Sequence, residues 1–215
     1  PLMVVENLYG YGPHEGAMDE ATPMRPTTKK GRVRAEMWRS LERAALDRGL
    51  AMAVVRASDF IGPGVVASAY GERFFPAIAA GNAAEAIGDL DALHSVTYVP
   101  DLAEALVRVA EDDTAWGRAW HAPTAPAVTQ RELAPMAASA VGVDPKVKTV
   151  PMWLLRIVGL FVKPAAETVE MRYEFESDFL IDSSAFTDRF GMEATPLPEA
   201  ISAVMVDRDL VHGHP

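Results

Sequence analysis

The chain has 215 residues, 49% of them apolar, a formal net charge of −10 and no cysteine. That length buries the core of one large domain or of one and a half small ones. The acidic balance argues against a nucleic-acid partner, which needs a basic face, and the lack of cysteine removes disulfides, thiolate metal sites and a cysteine nucleophile, and fits a cytoplasmic location.

Leu2-Met-Val-Val5 is a short apolar run, the pattern of a buried parallel strand. A long Pro/Gly-rich loop follows from Tyr9 to Gly31, more functional than incidental at that length. A helix is expected over Arg32–Arg48, with Val33, Met37, Leu41, Ala44 and Ala45 as its apolar face and Gly49 as its stop. Ala51 to Arg56 reads as a second buried strand, so strand, helix and strand form a parallel crossover. Downstream, Glu72–Ala80 reads as helix and Ser95–Val99 as strand, and Asp101 is expected to cap a helix over Leu102–Glu111.

Arg118–His121 is a further strand, and Thr129-x-x-Glu132 is a capping box opening a helix to about Val141. Val147–Val150 is a strand, and Ser183 and Pro198 each begin a helix. Met152 to Val162 is apolar but holds Arg156 and has about half the length that crosses a bilayer, so it reads as a buried or partner-facing helix and no membrane partner is expected. His14, His121 and the His212/His214 pair lie far apart with no paired carboxylate, so no metal site is expected. Trp38, Trp116, Trp120 and Trp153 sit among apolar neighbours and read as core.

Two segments carry the functional reading. Asn7-Leu-Tyr-Gly-Tyr-Gly-Pro13 and Arg56-Ala-Ser-Asp-Phe-Ile-Gly-Pro-Gly64 each run from a strand into a Gly/Pro turn, where open α/β sheets build their sites. Further on come Tyr98-Val-Pro-Asp-Leu-Ala-Glu-Ala-Leu106 and Phe179-Leu-Ile-Asp182 with Phe190-Gly191. Together, in this order, they resemble the second half of an extended short-chain dehydrogenase/reductase, the NAD(P)-dependent epimerase/dehydratase family. The resemblance implies an α/β fold: the C-terminal strands of a Rossmann-like doubly wound parallel sheet plus a small mixed α/β substrate-binding domain. The first unit is expected over residues 1–65 and part of 80–125, the second over 66–80 and 125–215. It also implies NAD or NADP as cofactor, a small carbonyl or hydroxyl compound as substrate, and oxidoreductase or epimerase/dehydratase chemistry; a homodimer is compatible with it. The rival is a catalytically silent member of the same fold that senses NAD(P) or binds protein.

The chain departs from the family pattern in two places. No Gly-x-x-Gly-x-x-Gly turn cradles a diphosphate, so about the first hundred residues of a family member are expected to lie upstream and the dinucleotide site to be incomplete. The Tyr-x-x-x-Lys pair is also missing: one register puts Thr28 and Arg32 in its places, another Pro26 and Lys30. The family's upstream Ser/Thr falls on Asn7 if Tyr11-Gly-Pro13 matches its turn, the preferred register, or on Val5 if Tyr9 does. In the atypical enzyme this implies, Tyr9 or Tyr11 gives the proton while Lys29, Lys30 or Arg32 lies within reach to stabilise an oxyanion. Lys29, Lys30, Arg56 and Ser58 are candidates for holding cofactor, and Asp59, Phe60 and His94 for facing substrate. Asp59 stands where many nucleotide-sugar enzymes carry Asn, and an aspartate there repels a diphosphate.

Overall fold

The computed structural model describes residues 1–66, 68–71 and 73–207, so His212, His214 and Glu72 lie outside the described residues. In chain order the elements are β1 (Leu2–Asn7), β2 (Ala17–Met18), α1 (Lys29–Asp47), β3 (Met52–Ala57), β4 (Asp59–Ile61), α2 (Phe75–Ala79) and β5 (Ala84–Ile87). Then come β6 (Leu93–His94), β7 (Val96–Tyr98), α3 (Val99–Glu111), β8 (Ala119–His121), β9 (Val128–Thr129), α4 (Gln130–Val141) and β10 (Val147–Val150). The last are α5 (Met152–Val158), α6 (Lys163–Glu170), α7 (Tyr173–Glu176), β11 (Leu180–Ile181), α8 (Ser184–Phe190) and α9 (Leu197–Asp207).

A three-stranded parallel sheet, in the order β1-β3-β8, organises the first core. β3 lies in the middle and is buried along its whole length, as its Val54-Val55 run requires. β1 is less buried than its sequence predicts: Val5 is 44% exposed, because β3 is its only strand partner among the described residues. Ala53, Val55, Leu102, Val109, Trp120 and Phe186 pack together here, which brings α3 and α8 onto the sheet.

α1 starts at Lys29, three residues before the expected Arg32, because the Thr28 hydroxyl accepts the Gly31 N–H as an N-cap. Gly31, Ala35 and Ala45 are buried and Met37, Leu41 and Ala44 half-buried, so the predicted face packs inward except for Val33, which is exposed. Gly31 sets how closely the helix start approaches. A Cβ there would stand 2.6 Å from the Tyr9 carbonyl oxygen, so only glycine lets the helix start press against the Tyr9 turn.

α3 begins at Val99, not after Asp101, since Pro100 supplies the backbone angle of a first helical turn. Asp101 is not the cap; it accepts the backbone N–H and the hydroxyl of Thr195, each at 2.7 Å. The Thr129/Glu132 capping box forms as its sequence predicts. A second core gathers Tyr70, Phe74, Phe75 and Ile78 with Leu133 of α4 and Ile201 and Met205 of α9. α2 covers only Phe75–Ala79 of the predicted Glu72–Ala80.

Short strand pairs complete the fold: β4–β7, β5–β10 and β2–β11 are parallel, β6–β9 antiparallel. α5 buries none of its residues, and Trp153 is 62% exposed, against the expectation of core. Among the described residues no helix is long and apolar enough to cross a membrane.

Candidate active site

The carboxyl ends of β1 and β3 open on a recess of about 180 Å³ lined by Asn7, Tyr9, Ser58, Asp59, Phe60 and Phe179. Tyr9, Asp59 and Ser68 are shared with a larger cleft of about 780 Å³, whose far wall comes from β10, α5 and α6. The Asn7 carboxamide accepts the Tyr9 N–H at 3.3 Å and so shapes the turn that presents Tyr9. Ser58 donates its backbone N–H to Thr97, but its buried Oγ has no partner among the described residues.

Asp59 and His94 meet: Nε2 of His94 lies 3.0 Å from Asp59 Oδ2, and Nδ1 lies 3.0 Å from the Glu174 carbonyl oxygen. Both ring nitrogens thus lie within hydrogen-bond distance of an oxygen, which fixes the ring between Asp59 and α7. His94 is sandwiched against Phe175, the two rings lying 2° from parallel.

Glu174 was not among the sequence candidates. It is 1% exposed, lies in the cleft wall with Tyr9, Asp59 and Lys30, and its Oε1 has no partner among the described residues. Burial, and then the charge of Asp59, push its carboxyl up to about 9, with Lys30 pulling the other way. The available signal was a glutamate between Tyr173 and Phe175, an acid in an aromatic stretch.

The expected cation–tyrosine arrangement does not form. Burial raises the Tyr9 hydroxyl, and Glu174 and Asp59 raise it further, the reverse of what a lysine beside it would do. Of the basic run, only Lys30 lines the cleft, and its Nζ is paired with Glu167 at 2.9 Å. Lys29 is exposed outside the lining, and Arg32 donates to the Thr27 carbonyl at 2.7 Å. Thr28 is spent as the helix cap, with its hydroxyl donating to the Met171 sulfur.

Tyr11 and Arg56 are likewise occupied elsewhere. Arg56 donates to the Tyr11 oxygen at 2.8 Å, pairs with Glu6 at 3.4 Å, and lies over the Tyr11 and Trp38 rings. Tyr11 in turn contacts His121, whose Nδ1 reaches the Asp182 carbonyl at 2.8 Å. Burial lowers the His121 pKa, so the ring is neutral at pH 7: Nδ1–H donates to Asp182 and Nε2 accepts from Tyr11.

The parallel sheet, the flanking helices and a cleft beyond the strand carboxyl ends define a Rossmann-type α/β protein. Residues 6–120 match the NAD dependent epimerase/dehydratase family, and the chain belongs to that family. Solved structures agree in fold. UDP-glucuronic acid 4-epimerase from Bacillus cereus, solved with NAD, is 12% identical with a TM-score of 0.76, the match covering 97% of this chain and 61% of that one. RMD from Pseudomonas aeruginosa, complexed with NADPH, is 16% identical with a TM-score of 0.72 over 95% of this chain and 65% of its own. The dTDP-glucose 4,6-dehydratase DesIV from Streptomyces venezuelae, solved with NAD, is 16% identical with a TM-score of 0.70 over 95% and 58%. The chain therefore spans less than two thirds of the length of these structures. A comparison with curated proteins found no match.

Proposed function

We propose that the cleft is the substrate end of an NAD(P)-dependent site acting at a carbonyl or hydroxyl carbon of a small molecule, with Glu174 giving the proton and Tyr9 holding the substrate oxygen. The observation that carries this reading is Glu174 itself: a buried carboxyl in the wall of an open cleft, whose Oε1 has no hydrogen-bond partner among the described residues. A carboxyl that stays protonated at neutral pH is a competent general acid. Tyr9 keeps its own proton and serves as a neutral hydrogen-bond donor.

The cofactor reading rests on family membership and on relatives solved with NAD or NADPH. The recess fits the nicotinamide end, because the unpartnered Ser58 hydroxyl and the Asn7 carboxamide suit a ring that carries a carboxamide. When bound, the cofactor supplies or takes up a hydride. In the reducing direction Glu174 would give its proton to the substrate oxygen as the carbonyl is reduced to an alcohol, and the carboxylate left behind would recover a proton from cleft water. In this reading residues 1–65 with part of 80–125 form the sheet unit, and 66–80 with 125–215 form the substrate unit, from which α8 crosses back onto the sheet.

The test is reduction of a panel of 2-alkanones and cyclohexanones by NADH and NADPH. Glu174→Gln keeps the size of the protonated side chain, so it is expected to lower kcat by roughly 10²- to 10⁴-fold while dinucleotide affinity stays unchanged. Unchanged kcat in this variant removes Glu174 from the chemistry. No turnover of any ketone by the parent protein, with NADH or NADPH bound, favours the silent member instead.

A further inference from the structure

The larger cleft is unevenly furnished. Three cations line it, Lys30, Arg73 and Lys148, against three carboxylates, Asp59, Glu85 and Glu167, and the protonated carboxyl of Glu174. Each cation is already matched: Lys30 with Glu167 at 2.9 Å, Lys148 with Glu85 at 3.0 Å, and Arg73 with Glu85 at 3.8 Å. Binding a phosphate or carboxylate there would mean breaking these pairs, with Asp59 adding repulsion. The opposite wall is apolar. Leu154, Leu155 and Val158 of α5, with Val162, Ala165 and Met171 beyond it, face the cleft.

That apolar wall does not stop at the rim. Ile157 is 52% exposed, Leu160 76% and Phe161 87%, and no Asp or Glu occurs between Asp144 and Glu167. Ile157, Leu160 and Phe161 adjoin the lining residues Val158 and Val162 in sequence, with Arg156 and Lys163 among them, so exposed apolar surface borders the cleft whose polar end is Tyr9, Asp59 and Glu174. The cleft's 780 Å³ is the size of a site for a drug-sized ligand.

We propose that the substrate is an uncharged ketone or secondary alcohol carried on an extended apolar tail. Its oxygen meets Tyr9 and Glu174, and its tail lies along α5 and the start of α6. This rests on the reading of the cleft as an oxidoreductase site, and it adds the class of molecule. The atoms balance as they do above: hydride to the carbonyl carbon, the Glu174 proton to oxygen, and an alcohol as product with the tail untouched.

The experiment is calorimetric titration of the full chain, without turnover, with 2-butanol, 2-hexanol, 2-octanol and 2-decanol, and with UDP-glucose as the charged comparator. Affinity is expected to rise two- to fourfold per methylene, with UDP-glucose binding more weakly than 2-octanol. Val158→Asp and Leu154→Asp alter residues that are 36% and 39% exposed, so the fold tolerates them; each should weaken 2-decanol at least tenfold and 2-butanol little. Affinity that is flat with chain length, or tighter binding of UDP-glucose, overturns the proposal. So does sedimentation of the protein with phosphatidylserine vesicles alongside a flat alcohol series, since the apolar wall would then serve a bilayer. Tail-dependent binding with no reduction of any ketone keeps the apolar site and removes the redox reading. Turnover with a flat series does the reverse.

Discussion

The Tyr11 hydroxyl lies 2.7 Å from Nε2 of His121, and their rings meet edge to face at 82°. That bond joins the turn after β1 to the end of β8, and Arg56 of β3 adds a third strand through the same oxygen. Tyr11 is thus a structural clamp across the sheet, while Tyr9, two residues earlier, turns to the cleft.

Tyr11→Phe leaves Arg56 short of one acceptor and His121 short of its donor. A loss of about 2–3 kcal/mol in unfolding free energy is expected from urea denaturation, the cost of unsatisfied buried polar groups. A loss under about 0.5 kcal/mol would show that the chain of bonds is not holding the three strands.

Stability should fall as pH rises. Glu174 has a folded pKa near 9, above its unfolded value of 4.5. Between those values the folded state holds a proton that the unfolded state has lost. The stabilisation is therefore complete below about pH 4.5 and is lost as pH rises through about 9, with a slope of up to about 1.4 kcal/mol per pH unit. Glu6, also raised by burial, adds in the same direction. Glu174→Gln should flatten the slope and make the protein more stable at pH 8; an unchanged slope would assign it to other groups.

Lys30 and Glu167 are each more than a third exposed, so their ion pair contributes roughly 0–1 kcal/mol and weakens with salt. Lys30→Met is expected to lower kcat less than tenfold, far less than Glu174→Gln. A loss of a hundredfold or more would return Lys30 to the role of oxyanion stabiliser.

Gly88 has φ +72°, and a Cβ there would fall 2.2 Å from the Phe175 carbonyl oxygen. Gly88→Ala should cost about 2–4 kcal/mol and disturb α7, which carries Glu174. Gly142→Ala, at φ +69° with nothing within 4 Å, should cost only about 1 kcal/mol. Equal losses in the two variants would mean that the approach to Phe175 is relieved by backbone movement.

The sequence by itself determined the crossover of β1, α1 and β3, the capping box of α4 and the glycine end of α1, because each depends on residues within one turn or one strand. The Asn7–Pro13 and Arg56–Gly64 segments likewise marked where the site would lie, since Gly/Pro turns at strand ends are local features. The tertiary structure alone decided which groups meet there. Tyr9 and Tyr11 are indistinguishable as letters, but packing sends one to the cleft and the other to His121, 110 residues away in sequence. The basic run also read as a site, yet helix capping, a carbonyl and Glu167 occupy Thr28, Arg32 and Lys30. Glu174 left only the mark of an acid between two aromatics: its raised pKa comes from burial and from Asp59, more than a hundred residues earlier, and such desolvation exists only once the chain has folded.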